Sequence, residues 1–110
     1  MIEKPWGHEE LLEHNEHYVM KRLFMKAGHR CSLQYHNEKH ETFIVLSGKL
    51  KFYVGASVDS IEEKILTAGD YYVVPPGLIH RMEGIEDSFY VEASTTQLDD
   101  VVRLKDDYSR

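Results

Sequence analysis

The sequence predicts an all-β fold, a closed barrel or sandwich of short strands. No window of about 11–18 residues sustains a helical repeat. Alternating and short apolar runs recur instead, and glycine, proline and aspartate break them at close intervals. The chain of 110 residues has room for one domain, spanning 1–110, and shows no internal repeat, low-complexity tract or linker.

Taken in order, residues 18–26 form the first expected strand, followed by 32–36 and 41–46. Ser47-Gly48 signals a tight turn, after which residues 49–54 set charged or polar positions against Leu50, Phe52 and Val54. Residues 55–63 read as a polar loop running into a strand at 61–66. Gly69-Asp70 marks a turn before a strand at 71–74. Pro75-Pro76-Gly77 then forces a turn, since proline cannot donate to a ladder and glycine accepts positive φ. Strands at 79–83 and 88–94 complete a set of about eight or nine. Residues 99–110 are charged and read as a short helix or an ordered tail.

Nineteen acidic against thirteen basic residues give a formal charge of −6, with no basic face for nucleic acid. The absence of a signal-peptide pattern, of a membrane-length apolar run and of a second cysteine beside Cys31 leads to the expectation of a cytoplasmic protein. Seven histidines in so short a chain suggest metal chemistry, because neutral imidazole is a common metal ligand.

Two stretches carry that chemistry. On a strand, residues two apart face one side, so Gln34 and His36 point together. Glu41 opens the following strand and can reach back to the same point. A carboxamide oxygen, an imidazole nitrogen and a carboxylate form a first shell for a divalent metal, given a fourth ligand. His80, at the start of the strand after Pro75-Pro76-Gly77, is the expected fourth. His40, beside Glu41, should face outward, and so should Arg81 beside His80. Parity with Ser32 and Gln34 would put Arg30 on the metal side as a phosphate grip; the alternative is a solvated arginine at a loop–strand junction. Glu92 alternates with Tyr90 and Ser94, facing inward as a base or ligand-orienting carboxylate, or else lying exposed.

The spacing Gly28, five residues, Gln34, one residue, His36, four residues, Glu41, six residues, Gly48 resembles the first cupin motif. Gly69, Pro75, Gly77 and His80 resemble the second, with Gly84 where asparagine often stands. Gln34 replaces the usual first histidine, and Gln-x-His is the form found in mannose-6-phosphate isomerases. Lys4-Pro5-Trp6-Gly7, Lys21-Arg22-Leu23, Ser32-Leu33-Gln34, Ile79-His80-Arg81-Met82-Glu83 and Asp99-Asp100-Val101-Val102-Arg103-Leu104 extend the similarity. All resemble the isomerase domain at the C-terminus of bifunctional mannose-1-phosphate guanylyltransferases.

That resemblance implies a small jelly-roll-like cupin β-barrel, a homodimer by default, holding one divalent metal through Gln34, His36, Glu41 and His80. Zinc or manganese is favoured, with iron, nickel or cobalt as alternatives. The implied reaction is metal-dependent isomerisation of a sugar phosphate. Arg30 or Arg103, the latter in a tail folding over the cavity, would grip phosphate. Two other functions compete. One is a non-catalytic carbohydrate- or metal-binding module, separated by its lack of turnover. The other is an iron-dependent dioxygenase, separated by the bound metal and disfavoured because Gln34 is a weak donor.

Overall fold

Alternation along the chain dictates two layers. The computed structural model describes residues 1–108, and strands are their only regular elements. In chain order they are β1 (Ile2–Lys4), β2 (Gly7–His14), β3 (Val19–Met25), β4 (Leu33–Tyr35), β5 (Glu41–Ser47) and β6 (Lys49–Gly55). After these come β7 (Glu62–Thr67), β8 (Tyr71–Val74), β9 (Ile79–Gly84), β10 (Ser88–Ser94) and β11 (Val102–Lys105). β5 buries Glu41, Phe43 and Val45 and exposes Thr42, Ile44 and Leu46, while β6 buries Leu50, Phe52 and Val54.

A six-stranded sheet runs β1-β2-β3-β10-β5-β8 and a five-stranded sheet runs β11-β4-β9-β6-β7, with all ladders antiparallel. The ladders make two facing sheets rather than one continuous cylinder. Leu23, Met25, Phe43, Val45 and Tyr90 from the first sheet meet Leu50, Phe52, Val54, Leu66 and Met82 from the second. Trp6, 4% exposed, closes one end of this core.

The expected strands from 18–26 to 88–94 fall on β3 to β10. Three strands go beyond the sequence reading. β1 and β2 extend the outer side of the six-stranded sheet, and β2 is so charged that no alternation shows in it. β11 corrects the expectation of a helix or tail: residues 102–105 add an edge strand to β4, while 109–110 lie outside the described residues. Charged residues suit such edges because they discourage pairing with other chains.

Gly48 turns β5 into β6 with φ of +88°, and an added Cβ there would collide with the Asp87 carbonyl and the Ser88 hydroxyl. Phe52 is 1% exposed and packs edge-on to Phe43 at a centroid distance of 4.9 Å. Phe52→Ala should cost about 3–5 kcal/mol of unfolding free energy, read from denaturant melts, because the site has little freedom to collapse.

Candidate metal centre

Strand register assembles the site from both sheets. In the five-stranded sheet, Arg103 of β11 lies opposite Gln34 of β4, and Gln34 opposite His80 of β9. Partners directly opposite share a face, so this row points at the facing sheet. From that sheet comes Glu41, opposite Ser94, and in the next row Glu92, opposite both Phe43 and Lys21. His36 follows β4 immediately. Its carbonyl accepts the Gly77 N–H at 2.8 Å, which ties it to the turn delivering His80; Gly77 itself has φ of +84°.

His36, Glu41 and His80 are all buried, and one ligand atom from each lies within 4.8 Å of the other two. Glu41 Oε1 is 3.3 Å from His36 Nε2 and 3.2 Å from His80 Nε2. The other ring nitrogens are engaged: His36 Nδ1–H donates to the Asp100 carbonyl at 2.6 Å and His80 Nδ1–H to the Leu78 carbonyl at 2.9 Å. With Nδ1 protonated, each neutral ring turns the Nε2 lone pair toward the same carboxylate oxygen. Lone pairs so arranged repel one another unless a proton or a cation lies between them. Donor separations of about 3.0–3.4 Å are the edges expected around an ion with bonds near 2.1 Å. The residues present therefore fit a divalent metal.

The second carboxylate oxygen has a different partner. Lys39 Nζ lies 3.3 Å from Glu41 Oε2, and Lys39 is 7% exposed. Burial works against the charge on Glu41, yet a proton on Nε2 of His36 or His80, donated to Glu41, together with the Lys39 ammonium, holds its carboxyl well below the usual range. Burial alone would discharge Lys39; Glu41 and Glu92 outweigh it and raise its pKa. Burial and the negative charge of Glu41 push the Glu92 carboxyl up to about 8.

A small cavity of about 100 Å³ holds the centre, lined by Gln34, His36, Lys39, Glu41, His80 and Glu92 above a floor that includes Phe43 and Phe52. It shares Glu9, Lys21, Gln34, His36 and Lys39 with a larger cavity of about 610 Å³, whose wall adds Lys4, Asp99 and Arg103. Gln34 thus lines the site beside His80, its amide nitrogen donating to the Ser32 carbonyl at 3.4 Å. Arg103 stands on the wall of the larger cavity.

Arg30 is placed differently from the parity argument. β4 begins only at Leu33, so residues 30–32 do not alternate as a strand, and Arg30 lines neither cavity. Its guanidinium instead holds Asp107 through Nε at 2.6 Å and Nη2 at 3.0 Å. Arg81 is buried, donating to the Cys31 carbonyl at 3.0 Å and pairing with Asp107 at 3.6 Å. Cys31 is half-buried, and burial pushes its thiol up to about 11, so it is no nucleophile at neutral pH.

Two residues were missed from sequence. Lys39 sits in the loop between His36 and Glu41, where strand parity says nothing about direction. Asp100 reaches the same loop from the C-terminal segment. A lysine two residues before the candidate ligand Glu41 was a signal that went unused.

The family described as "Mannose-6-phosphate isomerase C-terminal" matches residues 1–106. A mannose-1-phosphate guanylyltransferase of Salmonella montevideo is 31% identical over 114 residues, covering 99% of this chain and 23% of that protein. The chain thus spans less than a quarter of the length of the curated relatives it matches first. Among solved structures, the capsular polysaccharide assembling protein CapF of Staphylococcus aureus superposes with a TM-score of 0.80 at 20% identity, over 93% of this chain and 33% of that one. An uncharacterised Klebsiella pneumoniae protein with a double-stranded β-helix domain superposes with a TM-score of 0.76 at 17% identity, over 94% and 88% of the two chains. The fold is the all-β double-stranded β-helix of the cupins.

Proposed function

The chain belongs to the mannose-6-phosphate isomerase C-terminal family, and from that premise we propose that it acts as a metal-dependent sugar-phosphate isomerase. The observation that carries this reading is the cavity above the candidate metal centre. Its wall brings four cationic side chains, Lys4, Lys21, Lys39 and Arg103, against two carboxylates, Glu9 and Asp99. In a chain whose formal charge is −6, that excess of cations suits an anionic ligand. Arg103, Lys4 and Lys21 would hold the phosphate, which leaves Arg30 without a part in binding.

Gln34, His36, Glu41 and His80 would hold one divalent ion, zinc or manganese by their nitrogen and oxygen donors. Such an ion supplies Lewis acidity at the oxygens of the first two sugar carbons, easing proton removal between them. Glu92 is the proposed base. It lines the cavity beside Glu41, and its raised value brings proton uptake and release near neutral pH. With Glu41 engaged by a cation, Glu92 loses the repulsion that raises it and ionises more readily. We place the enzyme in the cytoplasm as a homodimer, a pairing that would cover the exposed Ile44, Tyr71 and Val73 of β5 and β8.

A coupled assay for mannose 6-phosphate isomerisation on metal-loaded protein tests the reading. Turnover is expected, and both a chelator and His80→Ala should abolish it. Binding of the sugar phosphate without turnover, under zinc, manganese, cobalt and iron alike, would replace the enzyme with a carbohydrate-binding module.

A further inference from the structure

We propose that Asp100 is the positioning residue of the metal centre, fixing the ring of His36 and the loop that joins His36 to Glu41. The inference rests on the reading of His36 and Glu41 as ligands. Asp100 lies just before β11, far from His36 in sequence, yet it touches that loop four times. Its carboxylate accepts three consecutive backbone N–H groups, Asn37 at 3.0 Å, Glu38 at 2.6 Å and Lys39 at 2.9 Å. Its own carbonyl accepts His36 Nδ1–H at 2.6 Å.

These contacts work together. The carbonyl selects the tautomer in which Nε2 is the free nitrogen, and Nε2 is the atom that faces Glu41. The carboxylate holds that carbonyl in place by anchoring the main chain of Asp100 to the loop. The same three N–H bonds shape the path of residues 37–39, and so set where Lys39 approaches Glu41 Oε2. β11 supplies the rigid support, since Val102 pairs with Tyr35 and Arg103 with Gln34. One carboxylate therefore orients a ligand imidazole, the ammonium beside the ligand carboxylate and the strand that lines the cavity. A side chain that merely capped the loop would stabilise it without governing the ring.

Another carboxylate farther along the segment provides the control. Asp107 pins the same C-terminal segment through Arg30 and Arg81 rather than through the loop of residues 37–39 or the centre's imidazoles.

The experiment compares Asp100→Ala, Asp100→Asn and Asp107→Ala. Cobalt(II) affinity is measured by titration calorimetry, the His36 ring in metal-free protein by nitrogen-15 NMR, and stability by thermal melting. Asp100→Ala should weaken cobalt binding by about 10–100-fold, the range found when a ligand's outer partner is lost. It should also shift the ring-nitrogen signals of His36 away from the single Nδ1–H form. Asp100→Asn keeps one acceptor oxygen and should fall between Asp100→Ala and the parent, even if the alanine variant folds poorly. Asp107→Ala should lower the melting temperature and leave both other readouts unchanged. Parent-like His36 signals and cobalt affinity in both Asp100 variants would overturn the proposal, whatever happened to stability. A parent protein that binds no cobalt, with His36 still perturbed by Asp100→Ala, would sink the metal reading and leave the positioning role standing.

Discussion

Glu41→Gln should lower divalent-metal affinity by more than about 100-fold, exceeding the 10–100-fold typical of losing a partner outside the ligand set. The substitution keeps the shape and removes the charge. Glu41 is the one carboxylate in the buried trio, and its Oε1 meets both imidazoles at 3.2–3.3 Å. An amide oxygen is a weaker donor for a hard or borderline dication. The metal-free fold should suffer less than this loss suggests. Stripping a buried ion of its partner costs about 3–5 kcal/mol. Here Lys39, the stranded cation, retains Glu92 nearby, and Glu92 keeps its burial but loses the repulsion from Glu41 that adds to it. Glu92 then ionises more readily and compensates Lys39 in part. Calorimetry gives the affinity and a denaturant melt gives the stability. Parent-like metal binding in Glu41→Gln would exclude this carboxylate from the ligand set.

Lys39→Met should move two affinities in opposite directions. The sulfur-bearing side chain fills the volume of the buried stem but removes the ammonium 3.3 Å from Glu41 Oε2. Without it, the charge on Glu41 stands uncompensated, and a dication gains. At an effective dielectric near 20 a single charge a few ångströms away is worth several kcal/mol before relaxation, so a gain of about tenfold or more is expected. The sugar phosphate loses one of the cavity's cations. A charged hydrogen bond contributes about 1.5–3 kcal/mol, so KM should rise by about 10–150-fold. Metal titration and steady-state kinetics separate the effects. Metal affinity that falls in Lys39→Met would show that the ammonium supports the ligand geometry instead of competing with the ion.

The elements legible in the sequence are those whose two faces meet different surroundings. β5 and β6 alternate because one side of each meets the opposite sheet, and their boundaries could be read nearly to the residue. β2 and β11 lack that contrast: β2 is charged along its length, and β11 lies mostly exposed at a sheet edge. The same distinction governs the site. The expectation that Gln34 and His36 point together came from strand parity, a local rule; the register that sets His80 opposite Gln34 joins distant segments, and parity alone cannot supply it. For Arg30 parity does not apply, because residues 30–32 are not a strand; of the two readings, the structure agrees with an arginine at a loop–strand junction, paired there with Asp107. The part played by Asp100 left no local trace, because its partners lie 61–64 residues away and three of them are backbone groups with no side-chain signature.

That separation also bears on the order of events during folding. Contacts across so much chain must overcome a loop-closure cost before they contribute, and they tend to form late. β11 pairs with β4 across most of the chain's length, and until that pairing forms His36 has no carbonyl to fix its ring. A partly folded chain can thus possess the apolar core, from Leu23 to Tyr90, and still lack a competent centre. An ion that binds the completed site would select finished molecules over nearly finished ones.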